Sequence, residues 1–156
     1  MKKILFALAI VPLLAFVGCS SDDDDNTPKV DFAYNIELLY GEWRATSVEG
    51  VGEEAIDLTN PAMEAIVEPT YVTFKKEGIY SSKGILGEGT GIYSTKGKKI
   101  TTAIGEEKEY KISFEMTSLE AKTAKIEINP QDVDFGIEIP KEIKKVTVVL
   151  TKQDKK

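Results

Sequence analysis

Along most of this chain apolar and polar residues alternate one by one. In "YKISFEM", Tyr110, Ile112, Phe114 and Met116 take one parity, and Lys111, Ser113 and Glu115 take the other. A period of two gives a strand one apolar face and one wet face. "VTVVLTK" repeats the pattern with Val146, Val148 and Leu150, and "AKIEIN" with Ala124, Ile126 and Ile128. "YVTFKKEGIY" reads as two strands joined at Lys76-Glu77-Gly78, and "IYSTKGKKI" as two more turning at Lys96-Gly97. With "GEWRATSV" as the first, the pattern predicts eight strands, over 41–49, 70–76, 79–84, 90–95, 99–104, 108–116, 121–129 and 143–152.

The connections are mostly short, and no long helical pattern intervenes to carry a parallel crossover. An antiparallel up-and-down arrangement follows, and eight strands suffice to close a barrel and remove exposed edges. A sandwich of two sheets is the competing architecture. Trp43, Ala45, Val72, Phe74, Ile112, Phe114, Val146 and Val148 are the candidate interior positions. Whether they fill the barrel or line a void stays open at this point.

Two connections are long, and long loops in compact domains tend to be functional or disordered. Residues 50–69 contain "NPAMEAIV", which predicts a short helix with Asn60 as N-cap and Pro61 in the first helical position. Met63, Ile66 and Val67 then share one side of it. The second connection, residues 130–143, is broken by Pro130, Gly136 and Pro140.

The N-terminus is different in kind. Lys2 and Lys3 precede an apolar stretch, Ile4 to Val17, of signal-peptide length and short of the ~20 residues a membrane span needs. Phe16-Val17-Gly18-Cys19 resembles the lipobox of bacterial lipoproteins, with Phe where Leu is usual. That resemblance implies a diacylglyceryl group, with acyl chains such as palmitate, on the thiol of Cys19, the chain's one cysteine, and cleavage before it. Two or more acyl chains hold a protein in a bilayer, at about 0.8 kcal/mol per buried methylene. Residues 1–18 are then the signal peptide, and 19–30 a polar tether too poor in apolar residues to pack. The aspartates at 22–25 directly after Cys19 resemble the export signal of surface lipoproteins in Bacteroidetes. This implies an outer-membrane protein exposed at the cell surface, with the periplasmic face as the alternative. Asp22 to Asp25 lack the alternating spacing, the Gly and the closing Glu of a calcium loop.

Residues 31–156 suffice for one ordinary domain. Removing residues 1–18 takes away Lys2 and Lys3 and no acid, so the formal net charge of −6 becomes −8. An acidic chain without a basic stripe is a poor partner for nucleic acid, whose binding is dominated by cationic contacts to phosphate. Histidine is absent, which removes Ser-His-Asp hydrolysis, histidine-ligated zinc and the commonest general base near neutral pH. With Cys19 lipidated, thiol chemistry goes too.

Against this frame Leu39-Tyr40-Gly41-Glu42-Trp43 resembles the Gly-x-Trp signature that opens the first strand of lipocalins, preceded by a helical turn, here "NIELL". "TYVTFKKEGIY" and "GTGIYSTKGKKI" are similar to the second-to-fifth strand region of bacterial lipocalin-like lipoproteins. The resemblance spans residues 36–152. It implies an all-β, eight-stranded lipocalin-like barrel in which Gly41 and Trp43 plug one end and 61–67 form a lid. It further implies a small apolar ligand held by Met63, Ile66 and Val67 of the lid and by Val72, Phe74, Tyr80, Ile112 and Phe114. The family stacks a late-strand arginine on its tryptophan. Arg44, the one arginine, sits beside Trp43 itself, so Lys144 or Lys145 is the substitute expected, by cation–π contact. The family's middle Thr-Asp-Tyr motif is absent.

Other signals read as structural. "GILGEGTG" is followed by a strand, not by the helix a phosphate loop opens, and is a flexible hairpin loop. Glu106, Glu107 and Glu109 form a solvated edge beside a turn; glycoside hydrolysis would need a converging pair such as Glu106 and Glu115. Asp132 and Asp134 could give calcium two oxygens, with no further ligands in evidence. The sequence therefore leads to a non-enzymatic, lipid-anchored barrel with no cofactor or metal, binding a small apolar ligand. The alternative is an interaction module with a filled core that holds a protein or glycan through its loops, for which an exposed Tyr80 and Tyr93 patch would speak.

Overall fold

The computed structural model describes residues 31–107 and 109–155. Residues 1–30, where the sequence leads one to expect a signal peptide, a lipidated Cys19 and an acidic tether, lie outside the described residues.

The period-two segments form nine strands: β1 Gly41–Glu49, β2 Ile56–Asp57, β3 Tyr71–Phe74, β4 Ile79–Lys83, β5 Gly89–Lys96, β6 Lys99–Ile104, β7 Tyr110–Leu119, β8 Thr123–Ile128 and β9 Val146–Lys152. All pairings are antiparallel. From β3 to β9 each strand pairs with its successor, and β1 pairs with both β3 and β9. The sheet thus closes into an eight-stranded up-and-down barrel without a free edge, and the sandwich alternative is set aside. The additional strand, β2, is two residues long and lies against Ser47 and Val48, along β1 beyond the end of β3. Two residues are too few for any period to reveal.

Two β-bulges keep apolar residues inward. In β1 the register against β9 shifts between Ala45 and Ser47, so Trp43, Ala45 and Val48 are buried despite the change of parity. In β7 the shift falls between Met116 and Ser118, and Leu119 becomes the next buried residue. This is why β7 runs three residues past its clean alternation at 116. All eight candidate interior residues are buried.

The two helices are single turns. In α1, Ile36–Leu39, Asn35 caps by accepting from the Glu37 N–H. In α2, Pro61–Glu64, the Asn60 side chain accepts from the Ala62 N–H, with Pro61 at the first position as expected. The barrel ends differ. Turns 75–78, 97–98 and 120–122, the incoming segment 31–40 and residues 153–155 gather at one end. The long connections 50–70 and 129–145 gather at the other with turns 84–88 and 105–107.

Candidate functional site

At the first end the barrel is plugged. Trp43 is fully buried, and its indole N–H donates to the Leu39 carbonyl at 2.8 Å, which joins α1 to the barrel floor. Lys152, opposite Trp43 in the β1–β9 register, places Nζ 4.9 Å from the indole centroid and donates to the Leu38 carbonyl at 2.7 Å. Lys152, not Lys144 or Lys145, is therefore the cation on the tryptophan. Lys145 sits at the opposite end of β9, paired with Glu127 at 2.6 Å. Gly41 completes the plug. Its φ is +128°, and a Cβ there would stand 2.8 Å from Lys152 Cε, so backbone and neighbour both require glycine. Burial pulls the Lys152 ammonium below its ordinary pKa, with Lys122 adding like-charge repulsion.

Above the plug the interior is filled by side chains. Phe74 and Tyr80 lie with ring centroids 5.2 Å apart, and Ile100, Ile112, Phe114, Met116 and Ile126 pack with them out of solvent. Tyr80 stands opposite Gly91 of β5, where a Cβ would come within 1.8 Å of the Ala103 carbonyl oxygen. The strands approach too closely there for any side chain. The Tyr80 hydroxyl is buried without a hydrogen-bond partner among the described residues, and burial raises its pKa. Nearby Ser82 turns its hydroxyl to the carbonyls of Leu86 and Gly87, at 3.0 and 2.9 Å. Tyr93 is half-buried and donates to the Lys75 carbonyl at 2.9 Å. The exposed Tyr80 and Tyr93 patch therefore does not exist.

At the second end three connections meet over the mouth. Val67 from the first loop, Ile85 and Leu86 from turn 84–88, and Phe135 from the last loop are all buried. The glycine-rich hairpin is thus anchored by two core residues, and Ile85 N–H donates to Thr70 Oγ1 at 2.9 Å. Met63 is half-buried, but Ile66 is 63% exposed. The expected shared face holds for Met63 and Val67, which lie one turn apart with the Val67 N–H donating to the Met63 carbonyl at 2.7 Å, and fails at Ile66, which follows the last helical residue, Glu64, and turns to solvent. Arg44, outside the barrel, ion-pairs with Glu64 and lies 5.8 Å from the Tyr71 ring centroid. That contact holds α2 to the wall.

Adjoining clefts open between these loops. One of about 560 Å3 is lined by Pro130, Val133, Phe135, Ile137, Ile139 and Pro140 among others. A second, about 540 Å3, has Ile104 and Tyr110 with Glu88, Glu106, Glu107 and Glu109. A third, about 280 Å3, lies between Val67, Ile85 and Phe135. Away from the mouth, a cleft of about 880 Å3 flanks the plug, bounded by Tyr40, Tyr71 and Lys152. The residues named from sequence therefore separate into two places: Val72, Phe74, Tyr80, Ile112 and Phe114 in the packed interior, and Met63, Ile66 and Val67 in the lid. Phe135, Ile85 and Leu86 complete the lid and were not singled out. An aromatic flanked by Asp134 and Gly136 in a Pro-broken loop was the one signal for Phe135.

The carboxylate pair weighed from the sequence does not converge. Glu106 is in a mouth turn, whereas Glu115 lies down β7 opposite Lys99, at the start of β6 beside the plugged end. Asp134 Oδ1 accepts from the Gly136 N–H at 2.8 Å and shapes its own turn. Among the described residues no group of three or more acidic or thiol side chains is placed to hold a metal ion.

No family model matches the chain, and no curated protein matches it. Among solved structures it is similar to a lipocalin-like protein from Bacteroides uniformis, with a TM-score of 0.49 and 17% identity over 74% of this chain and 99% of that one. It is also similar to an uncharacterized protein from Bacteroides eggerthii, with a TM-score of 0.42 and 12% identity over the same shares. The fold is carried by the strand order and its closure: an eight-stranded up-and-down antiparallel barrel, plugged by Gly41, Trp43 and Lys152.

Proposed function

We propose that this is a non-enzymatic binding protein of the cell envelope, anchored by lipid on Cys19 at the outer membrane and facing the cell surface. It takes a small apolar ligand at its mouth. The observation that carries the reading is the contrast between the two ends and the middle. The barrel is plugged and packed, while the loops beside its mouth leave clefts edged by Val133, Phe135, Ile137 and Ile139. Concave surface that combines apolar residues with polar groups can hold a small molecule, and Gln131, Asp134, Glu138 and Lys141 share the lining of this cleft with the apolar residues. The lipobox-like Phe16-Val17-Gly18-Cys19 and the aspartates after it support the anchor and the surface location.

Native mass spectrometry of the protein gently extracted from its own membranes tests this. The expected spectrum shows acyl chains on a chain beginning at Cys19, and a further discrete mass lost on denaturation. A lipidated chain with no passenger would favour the second reading, a protein or glycan held by the same loops.

A further inference from the structure

The two barrel ends differ in charge as well as in shape. At the plugged end, turns 75–78 and 97–98 lie side by side, since Tyr93 of β5 bonds to the Lys75 carbonyl. They present Lys75, Lys76, Lys96, Lys98 and Lys99, all exposed, against Glu77 of their own, Glu37, which stands 3.9 Å from Lys76, and Glu115 opposite Lys99. The first described residues are bound to this same place. Ala33 N–H donates to the Gly97 carbonyl at 2.7 Å, and Gly97 N–H donates to Asp31 Oδ1 at 3.2 Å. The chain leading from Cys19 therefore joins the barrel in the middle of the lysines. The opposite end is acidic, with Glu88, Glu106, Glu107, Glu109, Asp132, Asp134 and Glu138 around the mouth outnumbering Lys141, Lys144 and Lys145 of the last connection.

We infer that the plugged end is a membrane-facing surface whose lysines lie against the phosphates of an anionic bilayer, with the mouth held outward. The inference rests on anchoring through Cys19. Residues 19–30 span at most about 40 Å when extended, which would let either end approach the bilayer. Charge decides between the two. Lysines near an anionic surface are attracted within about a Debye length, and the acidic mouth is repelled over the same distance. The field thus turns the binding clefts toward solvent, where a ligand arriving from outside can enter.

Trp43, the one tryptophan, sits at the plugged end and reports its distance from the membrane. Residues 19–156, made without lipid, are coupled through the Cys19 thiol to a maleimide lipid in vesicles carrying a dansyl headgroup acceptor. This attachment holds whether or not the native protein is acylated, so an unlipidated native mass would sink the anchor reading and leave the vesicle result standing. Energy transfer from Trp43 is expected to rise about twofold or more when phosphatidylglycerol replaces part of the phosphatidylcholine. The rise should vanish in high salt and in the Lys75→Glu, Lys96→Glu, Lys98→Glu, Lys99→Glu variant, whose changes are all on the surface. Equal transfer on both vesicles, or lower transfer on the anionic ones, overturns the inference. A rise that appears only after Asp22 to Asp25 are replaced by Asn also overturns it, because the lysines would then be occupied by the chain's own acidic run.

Discussion

Lys152 and Trp43 face each other across the β1–β9 seam, with the ammonium 4.9 Å from the indole centroid. Trp43 donates to the carbonyl of Leu39 and Lys152 to that of Leu38, so one pair of side chains ties the barrel seam to the C-terminal end of α1. Trp43→Ala should cost about 3–5 kcal/mol, the range for a fully buried aromatic. Lys152→Met keeps the stem and loses the charge and the hydrogen bond, and should cost about 1–2 kcal/mol. Urea midpoints of the two variants check both values, and Lys152→Arg should fall closest to the parent protein.

Gly41→Ala tests the floor of the plug separately. With φ at +128° and the Lys152 stem 2.8 Å from the added methyl, a loss of about 1–3 kcal/mol is expected. Combined with Lys152→Ala, the steric part of that loss should disappear while the backbone part remains. A double-mutant cycle by thermal melting reads the difference.

Gly91 and Gly97 separate close approach from conformation. A methyl on Gly91 would meet a backbone carbonyl at 1.8 Å, which cannot move aside without opening the β5–β6 ladder. A methyl on Gly97 meets nothing within 4 Å and faces only its φ of +60°. Gly91→Ala should therefore cost about 3 kcal/mol or more, or prevent folding, while Gly97→Ala costs about 1 kcal/mol. Melting temperatures of the pair give the comparison.

Two tyrosines make stability depend on alkaline pH. Burial, with Tyr40 adding to it, pushes Tyr93 up to about 12, and burial raises Tyr80 as well. Both hold their protons in the folded state after they would lose them in the unfolded one. Their contribution is complete below the ordinary tyrosine pKa of about 10 and is lost as pH rises toward the folded value. The urea midpoint should fall between about pH 10 and about pH 12, and less steeply in Tyr93→Phe. In the folded protein, absorbance near 295 nm should show Tyr80 and Tyr93 ionising last.

Much of this barrel was legible because half-buried antiparallel strands carry their faces in their spacing. "YKISFEM" and "VTVVLTK" show period two directly, and Asn60-Pro61 announces a helix start by local chemistry alone. What escaped was set by contacts far along the chain. Lys152 is one of many lysines until the closing of β1 on β9 brings it to Trp43. The helical period placed Ile66 beside Met63 and Val67, but only Val67, bonded back to the Met63 carbonyl, turns inward where α2 gives way to the loop. The bulges at 45–47 and 116–118 break parity, so alternation could not carry β7 to Leu119. Phe135, Ile85 and Leu86 sit in irregular connections, where no period marks which apolar residue turns inward.

The most direct measurement is methyl-resolved NMR of the folded domain titrated with the small apolar dye 1-N-phenylnaphthylamine. Shifts confined to Val67, Ile85, Val133, Ile137 and Ile139, with Val72 and Ile112 unmoved, are the expected result. That pattern would place binding at the mouth of a packed barrel. Shifts centred on Val72, Ile112 and Met116 would show the dye entering the barrel, and would contradict it.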